Sequence, residues 1–305
     1  MTLNIYVFLA AALAALTSAQ ATLDKPALTP NLVYLNSGNF ANLPFPRGQR
    51  WSRWQAGLMP ADCKSIAESR GLNPTDFEVW DLFYSDCQDP WSVCRHRNST
   101  NSLETLIDTF SRVPVGMCSW VRHILTTPGD GAAYNYNGNV VFTGGSTRSL
   151  AVALHEAAHS LDLLGAYVDG ALSSSQEWVS AYNADTHVAD EYSRTNHIEN
   201  IAQTTLVAIY DRVVPGGFSG VQPYYNNIQN QYTLIQDLGG DQIIPGGWCD
   251  RHLENSATVS MTGTESPSKR SSKKARGVAH DSSFKGTYGH IVKDFEPFST
   301  EDFHH

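Results

Sequence analysis

Apolar residues recur about every 3.6 positions at Leu150, Leu154, Ala158 and Leu161, the spacing of one helical face. The pattern predicts a helix over 147–164, capped at its start by Ser146 or Thr147 and ended by Gly165. Ahead of it lie two β-suited runs, 132–136 and 139–143, joined by Asn137-Gly138. That dipeptide supplies the positive φ angles of a type I′ turn, so a hairpin is predicted to feed directly into the helix. A second stripe, Ile198, Ile201, Ala202, Thr205, Leu206 and Ile209, predicts a helix over 196–211 that begins at Thr195 or Asn196. Residues 102–110 and 118–125 also space their apolar positions helically, whereas 173–190 is polar and predicts no element.

The flanks differ from this core. Residues 6–16 form an apolar run too short to span a bilayer, and Ala19-Gln20-Ala21 follows, so 1–21 is predicted to be a secretory signal peptide. Residues 22–60, with Pro26, Pro30, Pro44, Pro46, Trp51 and Trp54, predict an extended lead-in packed on the domain. The stretches Val213-Val214-Pro215-Gly216-Gly217-Phe218 and Ile243-Ile244-Pro245-Gly246-Gly247-Trp248 look alike. Nothing between them matches, so they read as two Pro-Gly turns, each leading into an aromatic, and not as a repeat. From Asn255 the chain is rich in Ser, Lys and Gly and poor in aliphatics, which predicts a disordered tail over 255–305. One domain over 61–254 remains.

Composition supports that reading. Of 305 residues, 41% are hydrophobic, enough for a sizeable core, and the net charge is −9. From Asn255 onward there are seven basic and six acidic residues, so the remainder carries −10. Acidity of this size argues against a nucleic-acid partner, which requires a basic face. No second apolar run is long enough to hold the mature chain in a membrane. The five cysteines, Cys63, Cys87, Cys94, Cys118 and Cys249, include no C-x-x-C pair, so they predict up to two disulfides of open pairing and a secreted, extracellular protein. Asn98-Ser99-Thr100 is an N-glycosylation acceptor, which places Asn98 on the surface.

The first predicted helix carries His155-Glu156-Ala157-Ala158-His159. Histidines four apart lie one turn from each other on one face, so both imidazoles can reach one metal ion, and the intervening Glu156 points toward the same cleft. Zinc takes neutral nitrogen ligands, and a catalytic zinc keeps a position for water whose pKa falls to about 7. Glu156 is suited to take the proton of that water. A third ligand is needed, and Asp162, Asp169, Glu177, Asp185, Asp190, Glu191 and Glu199 are the carboxylates on offer. Three ligands from one rigid helix seldom close around a metal, which gives Asp162 a supporting role behind His159. Glu199 sits in the first turn of the next helix and is the strongest candidate.

Glu199-Asn200-Ile201-Ala202-Gln203 resembles the second-helix motif of gluzincin metallopeptidases, above all the lethal-factor-like group. The resemblance implies that Glu199 is the third zinc ligand and that Tyr192, seven residues before it, stabilises the oxyanion. Where that group carries an acidic residue four after the ligand, this chain has Gln203, which can orient a ligand histidine but adds no charge. From the HExxH segment to Phe218, and in the Cys-rich part around Cys87 and Cys94, the chain also resembles the secreted fungal conidiation-specific protein 13 family. Together these likenesses imply an α+β, zincin-like domain, a small sheet with an edge strand over the HExxH helix and a second ligand-bearing helix. They imply a monomeric zinc peptidase in which a peptide substrate lies along 139–143 and Glu156 activates the zinc-bound water. Two other readings fit the composition. One is a surface protein on the same scaffold that binds metal with little turnover, and the other is a carbohydrate-binding module using the seven Trp and thirteen Tyr.

Overall fold

A computed structural model describes residues 23–43, 49–146 and 149–263. The predicted signal peptide, Thr147 as a helix cap, Pro44 and Pro46, and the chain beyond 263 lie outside the described residues.

The fold is α+β. Its strands are β1 (Gln49–Arg53), β2 (Leu58–Pro60), β3 (Phe77–Tyr84), β4 (Trp91–His96), β5 (His123–Thr127), β6 (Ala133–Tyr136), β7 (Asn139–Thr143) and β8 (Thr258–Ser260). Its helices are α1 (Tyr34–Asn42), α2 (Ala61–Ser69), α3 (Leu103–Ser111), α4 (Val115–Cys118), α5 (Leu150–Leu163), α6 (Gln176–Ala184), α7 (His197–Val213) and α8 (Gln229–Gly239). Six strands form one mixed sheet in the order β1-β3-β4-β5-β7-β6, and β2 pairs with β8 in a second, small sheet. The Asn137-Gly138 turn has φ angles of 51° and 79°, so the β6–β7 hairpin forms as its sequence predicts.

Sheet order corrects two expectations. All five residues of β5 are buried, between parallel neighbours β4 and β7. Only His123-Ile124-Leu125 of the stretch 118–125 lies in β5, and Cys118 ends α4, so the helical spacing there joins the end of one element to the start of another. β7 is bonded on both sides, to β5 and to β6, so 139–143 offers no edge to a peptide; the terminal strand is β6. Its Asn135 Nδ2 donates to the Glu156 carbonyl and to Ser160 Oγ, each at 2.7 Å, which hooks the terminal strand onto α5.

The larger core lies on one face of the sheet, where Trp91, Ile124, Val140 and Phe142 meet α3, α5 and α7. A smaller core on the other face gathers Met59, Ile66, Phe77, Leu125 and Val141 under α2. Disulfides join Cys63 to Cys94 and Cys87 to Cys249, while Cys118 stays a buried thiol that donates to the Val113 carbonyl.

Helix α5 starts later than predicted, with Ser149 in the N-cap position but no bond from its side chain. Asn36 Oδ1, from α1, instead accepts from Ala151 N at 3.0 Å. The far end follows the prediction: Gly165 at φ 79° turns the chain, and Ala166 N bonds back to the Leu161 carbonyl at 2.9 Å. Residues 22–60 are not an extended lead-in, since they hold α1, β1 and β2. Before α1 the chain bridges to Val188 and bonds to Arg194, so it straps the loop that precedes α7. Helix α6 escaped notice because only Trp178 and Tyr182 face inward from it. The predicted disorder is also corrected over 255–263, where β8 pairs with β2 and Ser256 N donates to His123 Nε2 at 3.3 Å.

The burial of His123 makes acid stability depend on it. Burial lowers its pKa to about 4; its bond to Asn139 and the Asp62 charge oppose this, while Arg122 and His252 add to it. The folded pKa lies below the ordinary 6.5, so the unfolded chain binds the proton more readily and stability falls as pH drops from about 6.5 to about 4. The expected loss is about 3 kcal/mol. Urea unfolding between about pH 7 and about pH 4 checks this, and His123→Asn is expected to flatten that part of the profile.

Candidate metal centre

Helices α5 and α7 pack face to face. Both are buried almost all round, α5 from Leu150 to Asp162 and α7 from Glu199 to Tyr210, so polar side chains between them must satisfy one another. Asn196 caps α7 by accepting from Glu199 N at 2.9 Å, which fixes Glu199 in the first turn facing α5. Its Oε2 lies 3.1 Å from His155 Nε2 and 3.3 Å from His159 Nε2. The two imidazoles stand at 89° with centroids 4.6 Å apart, and one donor atom from each of the three residues falls within 4.8 Å of the others. Among the described residues no other such trio forms.

The electrostatics follow from burial. Burial alone would raise the Glu199 pKa, but the charges and hydrogen bonds of His159 and His155 outweigh it and hold the carboxyl well below the usual range. Glu156 is pushed up to about 8 by burial, with His155 opposing and Glu199 adding. Its Oε2 is buried with no hydrogen-bond partner. Tyr192 lies beside the cluster, its ring 5.7 Å from that of His155. Burial, then the Glu199 and Glu156 carboxylates, raise its hydroxyl pKa, so it remains an O–H donor.

Zinc suits this donor set. Two imidazole nitrogens and one carboxylate oxygen are its habitual ligands, and donors about 2.0–2.1 Å from a tetrahedral ion stand about 3.3 Å apart. The 3.1 and 3.3 Å separations from Glu199 Oε2 to the two imidazole nitrogens match two edges of that tetrahedron. An unpartnered Glu156 oxygen beside the trio is a buried polar atom waiting for a partner.

The remaining carboxylates serve elsewhere. Asp162 Oδ1 accepts from Ser173 N at 2.8 Å and makes no hydrogen bond to His159, whose Nδ1 has none. Asp162 Oδ1 thus holds the loop after α5, while its Oδ2, like His159 Nδ1, is buried without a hydrogen-bond partner. Asp185 accepts from Asn230 N and Gln231 N at the start of α8, and Glu191 pairs with Arg194 at 2.8 Å. Gln203 Oε1 lies 3.0 Å from His155 Nδ1, and Gln203 Nε2 donates to Asp190 Oδ2 at 2.5 Å. Sequence reasoning offered Asp190 only as a ligand. The signal for its actual place is the Asp190-Glu191-Tyr192-Ser193 turn, in which Asp190 Oδ1 accepts from Ser193 N and Oγ at 2.8 Å. Asn98 is exposed just beyond β4.

Comparison with known proteins places this chain in a family. The family model for conidiation-specific protein Con-13 matches residues 32–294. The chain belongs to the Con-13 family. One relative, conidiation-specific protein 13 of Neurospora crassa, is 32% identical over 215 residues, 69% of this chain and 63% of the relative. The chain thus matches less than two thirds of that Con-13 protein's length. No solved structure matches.

If Asp162 serves the loop and not the metal site, Asp162→Ala is expected to lower stability by about 1–3 kcal/mol, the cost of an unpaired buried N–H. Urea denaturation of the metal-free protein measures it, and zinc affinity of the same variant is expected to stay within about threefold of wild type.

Proposed function

We propose that this Con-13 protein is a secreted zinc-dependent peptidase with a zincin-like fold of the gluzincin type. The convergence of His155, His159 and Glu199 beside an unpartnered Glu156 carries the reading. The mixed sheet with its terminal strand hooked to the HExxH helix supports it. The two disulfides and the apolar run at 6–16 support secretion.

His155, His159 and Glu199 would hold the ion. When bound, zinc supplies Lewis acidity, lowering the pKa of water and polarising a carbonyl. The substrate chain lies along β6, the terminal strand beside α5, adding to the sheet by main-chain bonds. Glu156 takes the proton of the attacking water and passes it to the leaving amine nitrogen. Tyr192 donates its O–H to the oxygen that becomes negative as the carbonyl carbon turns tetrahedral. The buried walls between α5 and α7 keep these partial charges in a low-dielectric setting, where they interact most strongly.

Glu156→Gln is expected to retain one zinc per chain and lose at least about 100-fold in hydrolysis of casein or a peptide library. Glu199→Ala is expected to lose the zinc itself. Metal analysis paired with assays before and after chelation separates the two outcomes. Wild-type protein that binds zinc stoichiometrically but cleaves nothing would overturn the peptidase reading in favour of a metal-binding surface protein.

A further inference from the structure

We propose that Asp190 is a positioning residue for the metal centre: acting through Gln203, it holds His155 by a proton on Nδ1 and turns Nε2 toward the cluster. The inference rests on the reading of His155, His159 and Glu199 as a zinc site and extends it to how one ligand is prepared.

A glutamine amide can face an imidazole with either end, and each end sets the opposite tautomer. An ionised carboxylate removes that freedom because it only accepts. With Asp190 Oδ2 2.5 Å from Gln203 Nε2, the amide must donate to Asp190 and present Oε1 to His155 Nδ1. An acceptor there requires a proton on Nδ1 and turns Nε2 toward Glu199 Oε2, 3.1 Å away, so the proton that Nε2 shares with Glu199 is the one a metal displaces. If the amide turned over, its N–H groups would face Nδ1, and a metal could take Nε2 only by stripping the ring of its one proton.

Asp190 is itself fixed. Ser193 N and Oγ both donate to its other oxygen, and the strap before α1 bonds to Val188 two residues upstream. Leu32, Val33, Ala151 and Leu206 line the small cavity beside Asp190 and Gln203, an apolar surround in which one charged hydrogen bond strengthens the next. His159 makes the contrast, since its Nδ1 has no such partner. The arrangement is thus particular to His155. It also returns to the site the negative charge that Gln203 does not carry, one amide farther out.

The test uses the full mature chain, Zn2+ alone as the probe, and chelator competition to read affinity. Asp190→Asn is expected to weaken zinc binding about 10- to 100-fold, the usual cost of losing a partner behind a ligand. Adding Gln203→Glu to that variant places an acceptor-only group directly on Nδ1, with the amide introduced by Asp190→Asn donating to it, and is expected to recover most of the lost affinity. A role for Asp190 limited to holding its loop predicts no such recovery, so a double variant as weak as the single one overturns the proposal, as does an unchanged affinity in Asp190→Asn.

Nitrogen-15 NMR of the metal-free wild-type protein reads the tautomer without any variant. A proton on His155 Nδ1 supports the proposal, whether or not Nε2 also holds one, and an Nδ1 without a proton overturns it. Wild-type protein that takes up no zinc overturns the metal reading. The metal-free spectra still decide the relay in that case, because loss of the Nδ1–H form in Asp190→Asn supports it and persistence overturns it.

Discussion

The contact between α5 and α7 governs the rest of the structure. Each helix buries its whole middle, including groups that water would otherwise solvate, and an unpaired buried carboxylate is among the costliest things a fold can contain. Glu199 is tolerated there because two imidazole nitrogens meet it, and the imidazoles are tolerated because Glu199 meets them. Polar groups with such mutual need hold the two helices in register, since sliding either by one residue would strand all three side chains. The apolar residues around them supply cohesion, while the trio supplies the alignment.

Around that contact the molecule adds fasteners from distant parts of the chain. The terminal strand β6 is tied to α5 through Asn135, the start of α5 is held by Asn36, and α8 is held by Asp185. Asn200 continues the polar seam of α7 by donating to Gln231, which in turn donates to Asp185. The seam thus runs from the first turns of α7, beside Glu199, to the far helix, and the same carboxylate that starts α8 anchors its end. Rigidity at the site is therefore shared across several elements, as a centre that must hold donor atoms to within a fraction of an ångström requires.

Features written in neighbouring residues were legible in the sequence. The Asn137-Gly138 turn, the Asn196 cap, the Gly165 stop and the HExxH face each depend on a few consecutive positions, and each formed where its pattern lies. Features that depend on who sits beside whom were not. Nothing near α5 shows that Asn36 completes its start, and nothing near β5 shows that strands cover it on both sides. The place of β7 inside the sheet, the return of 258–260 to pair with β2, and the approach of Asp190 to Gln203 all join positions that only the complete fold makes neighbours. Glu199 stands between the cases: its helix was visible, but its partners came from a second helix 44 positions earlier.

The cap on α5 has a bearing on the order in which the protein assembles. Asn36 and Ala151 are 115 positions apart, and the cysteines Cys87 and Cys249 are 162 apart. A chain emerging from the ribosome therefore carries α1 through 115 further residues of synthesis before the position it caps exists. The strand β8 is made later still, and it closes onto a partner near the beginning. Loop closures of this length are slow, and they favour a centre whose parts meet only once nearly the whole domain has been delivered.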